Sequence, residues 1–322
     1  MSAIFEQNLK SEHATLHGLI LSRQWYDTVS GQSLVYWLAT RQGPARLEFT
    51  GQESVFFIPA SSISRAETIL ATGLKWRSAS VALRCFSETD EPVIACYFRN
   101  QRALGLARGL LQNNHIPTYE ADIRPTDRYL MERFVQGTLE VSGDFNVAEG
   151  YLSAVNPKIR GASFEPSLSV VSLDIETSIT NGTILSIAVD SNDVRKVFMV
   201  GKLRPSSLPY LEFIEDETTL LQRFMVWFAA LDPDVIIGWS VVGFDLRFLQ
   251  KRADALGLKF NIGRGMSPVS WRFLDQGQQR FYAVVPGRVV LDGIELLKTA
   301  TYSFENFSLE NVSRKLLGRG KL

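Results

Sequence analysis

Between Gly18 and Phe134 the chain alternates short apolar runs with glycine-marked breaks. LILSRQWYDTV, SLVYWLAT, ARLEFT and SVFFIPA are rich in β-branched and aromatic residues, and Gly31, Gly43 and Gly51 punctuate them, which predicts a series of strands. PVIACYFRN predicts another strand, QRALGLARGLLQNNHI a helix ending near Asn113–Asn114, and PTYEADI a strand after it. This part reads as an α+β domain. Residues 1–17 carry no clear period and are expected to form a flexible extension. Residues 135–166 mix short strand-like runs with Gly, Asn and Pro, as expected of a connector that contributes edge strands.

The remainder follows a different order. Strands are predicted at 169–176, 183–190, 195–201, 234–239 and 288–293, with helices at 216–230, 245–256 and 308–317. The Asn181–Gly182 pair predicts a tight two-residue hairpin between the first two of these strands. PDVIIGW is apolar throughout, as in a strand covered on both faces. The expected fold class is therefore α/β, a mixed sheet flanked by helices, with a domain boundary near Ser163. Units of 18–162 and 163–322 suit a chain of 322 residues, about twice the common domain size.

Composition narrows the function classes. Apolar residues make up 45% of the chain, the balance of a globular protein. No segment stays apolar for about 18 residues and the N-terminus lacks a basic-then-apolar leader, so a cytoplasmic location with no membrane association is expected. A monomer is expected as well. Cys85 and Cys96 form no CxxC and lack paired His residues, which predicts two reduced core thiols. Lys and Arg total 34, as do Asp and Glu, so contact with a nucleic acid would have to come from a local groove or a bound metal.

Two acidic clusters carry the candidate chemistry. In SLDIETS, Asp174 and Glu176 share one strand face while Leu173 and Ile175 share the other. Carboxylates about 7 Å apart along a strand can share a divalent cation, and a strand end reaching solvent accounts for them equally well. In IIGWSVVGFDLRFLQKRA, a buried strand runs through a turn at Val241–Gly243 into a helix opened by Asp245. Asp245 reads as a helix N-cap, or as a third metal-binding carboxylate returned to the strand by the turn. Asp292, closing RVVLD, reads first as a strand-terminal turn residue and second as an outer carboxylate of the same centre. Arg247, Lys251 and Arg252 suit a solvated helix face or phosphate contacts. No GxGxxG or GxxxxGK[ST] loop follows any predicted strand, which argues against a nucleotide-binding α/β protein of another kind.

Taken together, SLDIETS and IIGWSVVGFDLRFLQKRA resemble the first and second exonuclease motifs of family B DNA polymerases, the second having the pattern Asn, three residues, then Phe-Asp or Tyr-Asp. DRYLMERF and GIELLKTATYSFENFSLENVSRKLLGRGK resemble the equivalent segments of the bacterial polymerase II branch, and the likeness runs through nearly all of the chain beyond roughly residue 17. FFIPA resembles a strand that inspects the template in related archaeal enzymes, with core packing as the default reading.

The resemblance implies a ribonuclease H-like 3′→5′ proofreading domain preceded by the polymerase N-terminal domain, acting on single-stranded 3′ ends of primer–template DNA. It implies Mg²⁺ or Mn²⁺ at Asp174, Glu176 and Asp245. Asp174 would bridge both ions, Glu176 would bind the ion beside the nucleophile, and Asp245 would hold the other through water. Phe244 would pack near the 3′-terminal nucleotides, and Ser240 takes the place of the family's Asn in the substrate-binding turn. The third motif, Tyr-x-x-x-Asp, is absent: Tyr302 has Asn306 at that spacing, and Tyr119 has Asp122 one position too near. The resemblance thus implies a piece of a longer polymerase, weak or inactive as a nuclease by itself, with any sliding-clamp contact lying outside it. The alternative is a non-catalytic nucleic-acid-binding module whose exonuclease site has decayed.

Overall fold

In the computed structural model, residues 12–71, 73–84, 90–148, 150–202, 204–273 and 281–320 are described. Backbone proximity divides the chain into Met1–Pro166 and Ser167–Leu322, against an expected boundary near Ser163.

The first unit begins with β1 (Glu12–Thr28), β2 (Gly31–Thr40), β3 (Gly43–Gln52) and β4 (Ser54–Pro59), then α1 (Ile63–Leu70), β5 (Trp76–Arg84), β6 (Pro92–Phe98) and α2 (Gln101–Asn113). It ends with α3 (Pro125–Met131), β7 (Thr138–Ala148), β8 (Tyr151–Val155) and β9 (Lys158–Gly161). One sheet has the order β1-β2-β3-β8-β7-β9, and a further β1–β7 pairing closes its first five strands into a ring. Leu34, Tyr36, Leu38, Leu47, Phe49 and Val141 fill that ring, and the buried Tyr36 hydroxyl donates to the Thr126 carbonyl at 2.8 Å. A second sheet, β4-β6-β5, packs on α1 and α2 through Phe56, Ile58, Leu70, Phe98 and Leu104. FFIPA is therefore core, because Phe56, Phe57 and Ile58 are all buried. Cys96 is a buried free thiol, and Cys85 lies outside the described residues.

The structure differs from the sequence reading here in three places, the first being that the expected connector over residues 135–166 supplies β7 and β8, each paired on both sides, and only β9 as an edge strand. The expected flexible extension is a paired strand from Glu12 onward, in register with β7 from Glu12↔Phe145 to Leu19↔Thr138, while residues 1–11 lie outside the described residues. PTYEADI makes only one bridge, Tyr119 to Phe57, with bonds of 2.8 and 3.0 Å. Pro117 has no N–H to extend a ladder, and Glu120 turns left-handed at φ 56°.

The second unit contains β10 (Val170–Thr177), β11 (Ile184–Asp190), β12 (Arg195–Val200), β13 (Leu211–Ile214), α4 (Glu217–Leu231), β14 (Val235–Gly238) and α5 (Leu246–Ala255). These are followed by β15 (Ser270–Phe273), β16 (Phe281–Val284), β17 (Val289–Asp292), α6 (Gly293–Thr299) and α7 (Leu309–Leu317). The sheet order is β13-β12-β11-β10-β14-β17. β11 runs antiparallel to both β10 and β12, whereas β10–β14 and β14–β17 are parallel. This is the mixed sheet flanked by helices that the order of strands and helices predicts.

Strand β10 shows why the fold tolerates charges in an apolar run. Val171, Leu173 and Ile175 are buried, while Asp174 and Glu176 are exposed on the opposite face. Helix α4 covers the buried side with Leu220, Leu221, Phe224 and Phe228, each fully buried, and α5 adds Leu246 and Leu249. Burying one such side chain stabilises the fold by about 1.5–3 kcal/mol. The Asn181–Gly182 pair does not form the expected two-residue turn. Thr177 pairs with Ile184 after a bulge, Gly182 N–H donates to the Ser178 carbonyl at 2.8 Å, and only Gly182 adopts a left-handed φ, 61°. The Ser178 hydroxyl takes the Asn181 N–H at 3.2 Å, holding Asn181 out of the mirror-image turn.

Candidate active site

The parallel pairing of β10 with β14 runs from Val170↔Val235 only to Ser172↔Ile237. Beyond it β14 ends at Gly238, where a side chain could not fit: a Cβ would lie 2.7 Å from the Leu173 carbonyl oxygen and 2.7 Å from the Val241 Cβ. The chain turns at Ser240, left-handed at φ 62°, ψ 26°, and enters a π-helical turn, Val241–Asp245, that runs directly into α5. Such turns place one more residue per turn than an α-helix and re-aim the side chain that follows.

Here that side chain is Asp245. It stands at the N-cap position of α5 yet makes no side-chain cap hydrogen bond, which removes the bland reading of it as a helix cap. Its carboxylate turns to the sheet, where Oδ1 accepts the Ile175 N–H at 3.1 Å on the edge that β14 has left unpaired. Ile175 lies between the two acids of β10, so this bond brings the Asp245 carboxylate beside Asp174. Asp245 is 2% exposed. Burial, foremost, and the Asp174 charge raise its pKa from 3.8 to about 7, with Asp292 adding to the rise and the Ile175 N–H opposing it.

Asp174 and Asp245 therefore interact directly, whereas Glu176 lies exposed on the same face of β10. Among the described residues no three His, Cys, Asp or Glu side chains are gathered as a group that would hold a metal ion. The Asp pair nonetheless suits a hard divalent cation: its donors are carboxylate oxygens, and their mutual repulsion is what a cation relieves.

The surroundings sort the remaining candidates. Phe244, on the π-turn, is 45% exposed, with its ring centroid 5.6 Å from that of Phe248. Ser240 takes the left-handed conformation that Asn tolerates better than Ser, a backbone reason for an Asn at this position. Arg247 lies over the Phe281 ring at 3.7 Å, and Arg252 pairs with Glu217, bonding at 2.6 and 2.7 Å, so neither is simply a solvated charge. Lys251 is exposed. A cleft of about 450 Å³ opens beside the π-turn, lined by Ser240, Gly243, Tyr282, Asp292, Ile294 and Lys298 among others. Sequence reasoning missed Tyr282 and the strand pair β15–β16 that carries it, although the aromatic and β-branched residues of FYAV were a signal for a short strand.

A six-stranded mixed sheet packed on α4 and α5, with Asp245 of the π-turn brought beside Asp174 of β10, defines an α/β domain of ribonuclease H-like type. Residues 116–312 match the family described as DNA polymerase family B, exonuclease domain, and residues 18–53 match DNA polymerase II, N-terminal. The chain belongs to family B of the DNA polymerases. It is 41% identical to the DNA polymerase II of Escherichia coli strain K12 over 308 residues, which is 94% of this chain and 38% of that protein. It is 25% identical to a DNA polymerase of Thermococcus sp. strain GE8, covering 92% of this chain and 16% of the relative. The solved family B DNA polymerase of Pyrobaculum calidifontis shares the fold at a TM-score of 0.72 and 18% identity, over 93% of this chain and 39% of that one. The chain thus spans well under half the length of these relatives. No described helix is long and apolar enough to cross a membrane.

Proposed function

We propose that the second unit is a 3′→5′ exonuclease domain that hydrolyses the terminal phosphodiester at DNA 3′ ends, in the service of a family B polymerase working on primer–template DNA. The observation that carries the reading is the approach of Asp245 to Asp174, made by a π-turn and a bond to Ile175. Asp174 and Asp245, with Glu176 from the same strand, would hold Mg²⁺ or Mn²⁺. When bound, such ions supply an activated water and stabilise the leaving oxygen.

The chain's own residues do the rest. The Ile175 N–H holds Asp245 Oδ1 and so keeps the carboxylate beside Asp174. Phe244 offers an exposed ring for a terminal base, and such stacking is worth about 1–3 kcal/mol per base. Ser240 keeps the turn's backbone in the left-handed form despite its shorter side chain, which favours a working site over a decayed one.

The test is a Mn²⁺ titration of the chain and of Asp174→Ala, alongside release of nucleotides from a 3′-labelled single-stranded oligonucleotide. Specific binding lost in Asp174→Ala is expected. Indistinguishable titrations would remove the metal assignment, and DNA binding without metal binding would support the non-catalytic module.

A further inference from the structure

Asp292 ends β17 directly opposite Gly238, the last residue of β14, and is 7% exposed. Each of its oxygens has one backbone partner. Oδ1 accepts the Ile294 N–H at 3.0 Å, capping α6, and Oδ2 accepts the Val242 N–H at 3.0 Å.

The second bond has no local explanation. The first N–H groups of any helical turn lack partners within it, and a side chain at the N-cap position ordinarily supplies one. Ser240 makes no such bond. The cap of the π-turn comes instead from a strand fifty residues further along the chain. At its other end the turn is tied by Asp245 to Ile175 on β10. The turn is thus held between two strands that flank β14, with Asp292 fixing its start and Ile175 fixing its end. The fit leaves little slack: a Cβ on Gly293 would lie 2.9 Å from Cε3 of Trp239, and one on Gly238 would strike β10.

We propose that Asp292 is a positioning residue of the exonuclease centre: by capping the π-turn from β17 it sets where the Asp245 carboxylate stands relative to Asp174. The inference rests on the exonuclease reading above. Asp292 touches neither cation nor DNA in this role, and acts through the backbone of Val242. Removing it leaves the Val242 N–H without a partner and frees the turn to relax towards an ordinary α-helical start, carrying Asp245 away from Asp174.

The experiment follows free Mn²⁺ by electron paramagnetic resonance in titrations of wild type, Asp292→Ala and Asp292→Asn, each checked for folding by amide hydrogen exchange. Asn keeps one acceptor oxygen, so it serves where the Ala variant fails to fold. The expected result is the same number of ions bound with affinity weakened about 10- to 100-fold, the usual cost of losing an outer partner of a ligand. For nucleotide release kcat falls while KM for a single-stranded oligonucleotide is unchanged. Wild-type affinity in a folded variant overturns the proposal, and so does loss of one whole ion equivalent, which would make Asp292 a ligand itself. If the wild-type chain binds no Mn²⁺, the exonuclease reading fails and the inference with it. If wild type binds and the variants bind equally well, only the inference fails.

Discussion

Replacing Asp245 with Asn should make the metal-free chain more stable, by an amount that depends on pH. The Asp245 carboxyl is 2% exposed and faces Asp174, and its pKa rises from 3.8 to about 7. In the unfolded chain it ionises near 3.8, so between that pH and about 7 the folded state holds a proton that the unfolded state has lost. Stability from this group therefore falls as pH rises across that window and levels off above it. The gap corresponds to about 4 kcal/mol at pH 8 and about 2 kcal/mol at pH 5. Asn removes the charge and keeps an oxygen to accept the Ile175 N–H, so Asp245→Asn should gain about 4 kcal/mol at pH 8 and only about 2 kcal/mol at pH 5. Exchange of the Ile187 and Phe198 amides, measured with EDTA at both pH values, reports opening of this unit separately from the first. Adding Mn²⁺ should protect wild type and leave the variant unchanged. A variant no more stable than wild type at pH 8, or a gain that does not shrink at pH 5, would refute the placement of a buried carboxylate against Asp174.

Other changes probe the backbone that delivers Asp245. Ser240→Asn should raise the stability of the second unit by about 0.5–1 kcal/mol, because Asn accepts the left-handed conformation at lower cost; a drop in thermal stability would contradict this. Gly238→Ala should destabilise by about 1–3 kcal/mol, since the new methyl meets the Leu173 carbonyl and Val241 at 2.7 Å, and should weaken Mn²⁺ binding as β10 and the π-turn separate. Unchanged stability and affinity would show that the approach is not tight. Phe224→Ala, in the core beneath β10, should cost about 3–5 kcal/mol in urea unfolding without altering nucleotide release under conditions where the chain stays folded.

Much of this could be read from local pattern. Alternation along VVSLDIET places Asp174 and Glu176 on one face before any coordinates are consulted, and the buried strand–turn–helix around Gly238 and Asp245 is visible in its apolar run. What escaped was set by distant partners. Nothing in SVVGFD distinguishes a π-turn from the first turn of an α-helix, because the difference lies in bonds to Ile175 and Asp292 on other strands. Asp292 has turn propensity in sequence and is a helix cap in structure, but its second bond crosses fifty residues. The Asn181–Gly182 pair misled for the opposite reason: a strong local signal gave way to the register that Ile184 and Thr177 impose. Short elements such as β13 and α6 are stabilised by the parallel partner β12 and the Asp292 cap, and carry too few residues to show a period.

The π-turn also gives a meaning to length. Each residue added to or removed from a helical stretch rotates everything after it by about 100° around the axis. Deleting one residue between Ser240 and Asp245 would leave every side-chain type in place and swing the carboxylate out of the sheet's edge. The three-residue spacer between the turn residue and Phe-Asp thus acts as a gauge. In this segment the count of residues is as strict a requirement as their chemistry, and insertions or deletions should be tolerated less well than substitutions at Val241, Val242 or Gly243.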